Sequence, residues 1–367
     1  MLIEGFVPIR TVLQKLFFLD PVYNPATSHL RTFVGGKRSA EEKAVLKAPV
    51  EGSLHRNWVK CFPSCCYLQS VSQCSGTIVR AHAIQKAQIR PYSKNGQVYA
   101  PDPLGDRNEG VTEFRLSGVN RVTTFKGFCA KHDSEVFRAI EVDPFSGSPE
   151  QLCLYHYRAL CKDYHIRLAS KNFFDQMISD LEKAGLGDQL NYFRNLREMT
   201  LLDLKEIPLG KSKLDLSIKM KNFTNLSGCW MRGAGVPGLL VTTNLFPLRD
   251  FLGRPFPNRI SSGLSNWVSL SITIENGLPL VIVAGHRNSP VLAQLLDSLS
   301  QIPPGQLPAT LTRYALATSE YPVIIPQWWE GLTSESRRAA RLTANARFFT
   351  DYFNGPFDWE IGTPTFF

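Results

Sequence analysis

Eight cysteines, at positions 61, 65, 66, 74, 129, 153, 161 and 229, are the residues of clearest chemical potential in this 367-residue chain. The first four fall within fourteen positions, and Cys129 precedes His132 by three. Disulfide frameworks belong to short secreted chains that cannot build a core of their own. A chain of this length needs no such staples, so the clustering points to a metal. Zinc takes four sulfur and nitrogen donors in a tetrahedron, contributed by separated pairs. The preferred set is Cys61, Cys74, Cys129 and His132. Cys65 or Cys66 can replace Cys61, and spacing leaves that choice open. Two donors from a loop and two from a helix start more than fifty residues later fit a treble-clef arrangement. The positive end of that helix also favours thiolates. Cys153, Cys161 and Cys229 stand among apolar neighbours and read as inert buried thiols.

A second chemistry lies between the two metal-ligand pairs. His82 follows Cys74 by eight positions and sits at the end of a strand pattern over residues 77–84. A histidine so placed can activate a water for phosphodiester hydrolysis. That reaction needs a divalent metal such as Mg²⁺ on the scissile phosphate and the leaving oxygen. Asp133, next to His132 at the start of a helix pattern, can hold it. The plainer alternatives are that His82 packs against the helix and Asp133 caps it. From Gly76 to Lys131 there are nine Lys and Arg against four acids, Asp102, Asp106, Glu109 and Glu113. A net +5 around the candidate site suits a phosphate backbone, DNA or RNA.

Three motifs carry a family resemblance: CSGTIVRAHAIQKAQI from Cys74, NGQVY from Asn95 and TTFKGFCAKHDSEVFRAIE from Thr123. They resemble a largely uncharacterised group of bacterial proteins with a Cys-rich loop, an AHxIQ segment and an FCxxHD segment. More distantly, they are similar to the zinc-stapled HNH endonuclease superfamily. That second resemblance implies that His82 is the general base and that Cys129 and His132 form the second zinc pair. It also implies that Asp133 is the helix ligand of the catalytic metal. Fusions of such modules in bacteria imply genome defence or a mobile element. The chain departs from the superfamily pattern in three ways. The middle Asn has no firm match, although Asn95 and Asn120 are nearby. Ala81 stands where many members have an acid, and the hairpin insertion is long. The resemblance covers about 80 of the 367 residues.

The elements that position these residues divide the chain into four parts. Residues 1–55 are loosely organised. Residues 56–149 form the zinc-binding module, with strands at 77–84 and 96–100, an Asp/Gly/Asn/Pro-rich loop at 101–121, and the helix carrying His132. Residues 150–207 are helical, with Leu152, Tyr155, Ala159 and Lys162 on a three-to-four spacing, and the pattern predicts helices over 150–168, 170–184 and 187–203. Residues 208–367 are rich in strands: 214–220 and 267–275 alternate with period two, while 239–246 and 278–285 are largely apolar and β-branched. A helix at 289–302, a short extended piece at 321–326 and a final helix over 335–352 complete it. The fold class is α+β: a zinc-stapled treble-clef or ββα-like module, a helical middle and a C-terminal mixed α/β region.

Other signals are discounted. Gly233 to Gly238 spells GxGxxG, but a strand pattern follows it where a dinucleotide site needs a helix. Gly210-Lys211-Ser212 resembles the end of a phosphate loop, but Lys205 occupies the upstream glycine position. No segment approaches the roughly 18 apolar residues of a membrane span, and the start reads as no signal peptide, so a cytoplasmic location is expected. Formal net charge is +9, which permits nucleic-acid contact without fixing the fold. The leading functional expectation is metal-dependent nucleic-acid cleavage. The rivals are a non-catalytic zinc-stapled module that binds nucleic acid or protein, and a partner-dependent effector. An exposed apolar patch near Trp328 and Trp329 would favour the last.

Overall fold

The computed structural model describes residues 60–101, 113–183, 187–245, 249–256, 267–319 and 321–346. The elements run β1 (Ile78–His82), α1 (Lys86–Ile89), β2 (Gln97–Pro101), β3 (Phe114–Gly118), β4 (Thr124–Cys129), α2 (Ala130–Val136) and α3 (Arg138–Glu141). Two long helices follow, α4 (Pro149–Lys183) and α5 (Gly187–Met220). Then come β5 (Leu226–Arg232), β6 (Leu239–Leu245), β7 (Val268–Glu275), β8 (Leu278–His286), α6 (Pro290–Ser300), α7 (Leu307–Thr318), β9 (Val323–Ile324), α8 (Pro326–Gly331) and α9 (Ser334–Ala346). The protein is therefore mixed α+β. The N-terminal segment expected at 1–55 lies outside the described residues.

Two sheets organise these elements. β1 and β4 form an antiparallel ribbon, with Ile78 opposite Cys129 and His82 opposite Thr124. The other seven strands form one sheet in the order β3-β2-β9-β6-β7-β8-β5. The β2–β3 hairpin joins it through Tyr99, which pairs with Ile324 of β9. The segment between the two metal-ligand pairs thus inserts its hairpin into the C-terminal sheet. Phe114 to Gly118, expected as loop, pairs with β2 from Pro101 to Gln97. Its Asp/Gly/Asn/Pro signal belongs to the preceding residues 102–112, which lie outside the described set.

The central strands β6, β7 and β8 are buried along almost their whole length. Helices cover both faces, which is why their sequences are nearly continuous rather than alternating. In β8, Leu280, Ile282 and Ala284 join the core around α4, whereas Val281 and Val283 join the core around α6 and α7. Ser289 caps α6 by accepting the Leu292 N–H at 3.0 Å, and Pro290 opens its first turn.

The helical middle differs from expectation. One 35-residue helix replaces the two expected over 150–168 and 170–184. No Gly or Pro interrupts residues 166–174, and Ile166, Ala169, Phe173 and Phe174 continue one buried stripe. Ser170 is accommodated by donating its hydroxyl to the Ile166 carbonyl at 2.8 Å. The helix after it runs through Pro208 to Met220, so the boundary expected at 207/208 falls inside α5. The period-two strand expected at 214–220 is helical as well. Leu214 is 8% exposed while Leu216 is 59% exposed. A strand would place those two on one face; a helix turns Leu214 and Ile218 toward α4 and leaves Leu216 outside.

The tryptophan pair is not an open patch. Trp329 is buried and its ring packs against Tyr99 and Phe114. The final helix, expected from Glu335, begins one residue earlier at Ser334 and is described to Ala346, with Ala339, Ala340 and Ala344 buried and Arg338 exposed. Arg341, expected to point outward, is partly buried and pairs with Glu113 at 2.7 Å. The expected continuation to 352 lies outside the described residues. Among the described residues no helix is long and apolar enough to cross a membrane.

Candidate metal centre and the adjoining polar site

β4 ends on Cys129, which also occupies the N-cap of α2. His132 follows in the first turn, so residues three apart on one helix end face the same way. The loop carrying Cys66 is laid against β4 by two backbone bonds, Cys65 N–H to the Lys126 carbonyl at 3.3 Å and Tyr67 N–H to the Gly127 carbonyl at 2.8 Å. Gly127 is required there, since a Cβ would come within 2.7 Å of the Tyr67 ring. The loop is fastened again from outside. The Tyr67 hydroxyl meets His165 Nδ1 at 2.8 Å, and Ser70 donates to Asp215 at 2.8 Å.

These restraints bring together Cys66, Cys74, Cys129 and His132, whose four ligand atoms all lie within 4.8 Å of one another. His132 Nδ1 is 3.1 Å from Cys66 Sγ, 3.4 Å from Cys129 Sγ and 3.7 Å from Cys74 Sγ. A tetrahedron with Zn–S near 2.3 Å and Zn–N near 2.0 Å needs ligand separations of roughly 3.5–3.8 Å. The donor set therefore fits a structural zinc with small adjustments. His132 is fully buried, and its Nε2 is 2.7 Å from Ser72 Oγ. Donation from Nε2 to that hydroxyl leaves the Nδ1 lone pair for the metal.

The thiols are unequal. Burial pushes Cys66 up to about 12, against backbone N–H donors from Cys129 and Leu68. Burial also acts to raise Cys129, but hydrogen bonds from the His132 backbone, Ser75 and Cys66 outweigh it and bring that thiol down to about 7. Those N–H donors are what a metal-bound thiolate requires.

Cys66, not Cys61, is the residue gathered with the other three. Cys61 is half-buried against the Phe173–Phe174 core, and its carbonyl accepts from Asn172 at 3.0 Å. Cys65 stays outside the group, its thiol raised by burial. Cys153 and Cys161 are buried in the core, while Cys229 is partly buried on β5.

Of the other two predicted residues, Asp133 follows His132 on α2, whereas His82 lies opposite Thr124, at the far end of the ribbon from Cys129. His82 ends β1 and is partly buried; its Nε2 is buried with no hydrogen-bond partner. Burial lowers its pKa, with Lys86 and Arg158 acting the same way. Asp133 does not cap α2, whose N-cap makes no side-chain bond. Its Oδ1 is buried without a partner, and burial raises its pKa while Arg158 opposes the rise.

Sequence reasoning missed two residues here, Arg158 and Glu141. Arg158 of α4 is 2% exposed and pairs through Nη2 with Glu141 at 2.5 Å. Its guanidinium lies 4.0 Å above the Phe137 ring. Asp133 lies one helical turn before Phe137, and the Arg158 charge acts to lower its pKa. Arg158 Nε is likewise buried and unpartnered. Both Arg158 and Glu141 act electrostatically on His82 and Asp133, so the four groups form one cluster. The available signal was the charge in the otherwise apolar stripe of α4, where Lys162 is also buried.

The two discounted loops are not nucleotide sites. Residues 233–238 connect strands β5 and β6. Lys211 lies inside α5 and pairs with Asp215 at 2.8 Å. No protein-family model, curated protein or solved structure matches the chain.

Proposed function

We propose that the chain is a metal-dependent nucleic-acid hydrolase in which the Cys66–Cys74–Cys129–His132 centre is a structural zinc staple and His82 is the general base. The observation that carries this reading is a set of buried polar atoms without hydrogen-bond partners from three elements: His82 Nε2, Asp133 Oδ1 and Arg158 Nε. Buried polar groups are normally satisfied, and exceptions cluster where chemistry is done. The treble-clef identity of the module belongs to the same proposal.

The roles follow from the donors. His82 Nε2 has no hydrogen-bond partner, so in the tautomer with its proton on Nδ1 the Nε2 lone pair would take a proton from water. Its lowered pKa keeps the ring neutral at pH 7. Asp133 would hold a divalent cation through its unpartnered oxygen. Such an ion supplies charge stabilisation for the phosphorane-like transition state. Arg158, kept in place by Glu141, has its Nε–H without a partner and would donate it to a bound phosphate. Arg80 and Lys126 are exposed on adjacent strands of the β1–β4 ribbon, on the side where His82 and Thr124 emerge. Two exposed cations on one ribbon suit a phosphate backbone.

A second reading, a zinc-stapled binding module without catalysis, draws on the inward orientation of the same atoms, each with almost no solvent contact. One experiment separates the two. Wild-type protein and His82→Ala are incubated with single- and double-stranded DNA and RNA, in Mg²⁺, Mn²⁺ or chelator. Hydrolysis by the wild type alone, abolished by chelator at unchanged zinc content, is the expected result. Nucleic-acid binding that is equal in both proteins, with no cleavage in any metal, selects the binding module.

A further inference from the structure

α4 lies between the sheet and α5. Every residue of α4 from 151 to 163 is buried, whereas α5 keeps one side to solvent. The inner side of α5 carries Ile207, Leu214 and Ile218, packed with the α4 core. Its outer side carries Leu202, Leu209 and Leu216, exposed by 45%, 60% and 59%, and Met220, exposed by 65%. Seven residues are two helical turns less about 20°, so the three leucines stand in line and Met220 follows one turn on. The stripe is about 27 Å long at 1.5 Å per residue. Single exposed apolar residues are ordinary; four aligned on one helix are not.

Lysines flank the stripe. Lys205, Lys213, Lys219 and Lys221 are exposed, and none makes an ion pair with a described residue. Two acids of this stretch are engaged elsewhere, Asp203 with Arg167 and Asp215 with Lys211, both at 2.8 Å. That leaves Glu206 as the opposing charge. The occupant that suits this surface is therefore apolar and acidic. A second copy of α5 does not suit it. Antiparallel pairing about Leu209 sets Lys205 against Lys213, and parallel pairing sets each lysine beside its own counterpart. Residues 1–59 do not suit it either, with eight Lys and Arg against five acids.

Residues 348–367 have the complementary composition. They hold Asp351, Asp358 and Glu360, no Lys or Arg, and eight aromatic residues. They follow α9, described to Ala346, whose Ala340 and Ala344 pack on the α6–α7 side of the sheet. From that side to α5 is about 30 Å, at about 10 Å per packed layer. Twenty residues extend to at most about 70 Å, enough to pass round the sheet and lie along the stripe. We infer that residues 348–367 dock along the outer side of α5 in the same chain. Their aromatic side chains cover Leu202, Leu209, Leu216 and Met220, and their carboxylates meet Lys205, Lys213 and Lys219. Ion pairs at a surface contribute little, so aromatic burial supplies most of the stabilisation and charge sets the choice of segment. This inference stands independently of the hydrolase reading.

The test uses the full chain and a water-soluble carbodiimide, which joins a carboxylate to a lysine amine as an amide with loss of water. Chains labelled with ¹⁴N and with ¹⁵N are mixed before the reaction, and the joined peptides are identified by mass spectrometry. Single-label peptides linking Lys205, Lys213 or Lys219 to Asp351, Asp358 or Glu360 are the expected result. A variant carrying Leu209→Glu and Leu216→Glu keeps every lysine and alters only exposed positions, so its melting temperature should stay near that of wild type. Its yield of those links should fall at least tenfold. If the pair does not fold, Leu209→Ser alone carries the test, with a smaller fall in the same direction. Absence of the links in wild type would overturn the inference, as would equal yields in wild type and variant. Mixed-label links would overturn it in favour of a second copy. Sedimentation of wild type, but not of the variant, with phosphatidylserine vesicles in the absence of links would overturn it in favour of a lipid surface.

Discussion

The candidate metal centre and the His82–Asp133 cluster lie on the same ribbon and helix, yet one has its polar atoms paired and the other does not. At the first, His132 has both ring nitrogens engaged, one facing three sulfurs and one on Ser72. At the second, His82 Nε2, Asp133 Oδ1 and Arg158 Nε have no hydrogen-bond partner among the described residues. A structural site gains stability from saturation, whereas a reacting site must keep valences for substrate and water. On the proposed reading, loss of a residue should therefore damage the fold at the first site and hydrolysis at the second.

The largest effect is expected from Cys129→Ala or Cys66→Ala. Metal content, measured on folded reduced protein, should fall from about one zinc per chain to none. Stability should drop by several kcal/mol, roughly the scale of losing a structural zinc site. Cys61→Ala should retain the metal. Equal loss of zinc from Cys61→Ala and Cys66→Ala would remove the assignment of the fourth ligand.

Next come His82→Ala and Asp133→Ala. Each should lower hydrolysis by about 10²–10⁴-fold, leave zinc content unchanged and cost little stability, because the atoms removed have no partners to lose. A large fall in melting temperature with either variant would place these residues on the structural side of the comparison. Arg158→Met, by contrast, should destabilise the protein by leaving Glu141 unpaired.

A smaller effect distinguishes support from ligation. Ser72→Ala should weaken metal affinity by about 10–100-fold without unfolding the protein, as read by competition with a chromogenic chelator. Unchanged affinity would mean that the Ser72 contact does not orient His132.

Acid should act gradually. Burial lowers His156 and His165 to about 4. An unfolded histidine titrates near 6.5, so the unfolded chain binds more protons between about pH 6.5 and 4. The contribution of each histidine is complete above pH 6.5 and is lost as pH falls through that window, at about 1.4 kcal/mol per pH unit. Denaturant midpoints of wild type and His156→Gln across this range measure the slope, which should be shallower in the variant.

Short-range pattern carried much of this protein. The Cys129–His132 pair, the strand ending on His82, the apolar runs of β6 and β8 and the Ser289 cap were all legible, because three-residue spacing, period-two alternation and capping are local properties. Three other features depended on distant contacts. Cys66 rather than Cys61 joins the metal group because Tyr67 pairs with Gly127 and bonds His165, contacts separated by 60 and 98 positions. Leu214 and Leu216 read alike as alternating apolar residues until α4 supplied a surface for only one of them. Arg158 joined a polar cluster only once α4 was laid against the ribbon. Sequence fixes which groups a segment can offer; whether a buried atom finds a partner is settled by what the rest of the chain brings to it.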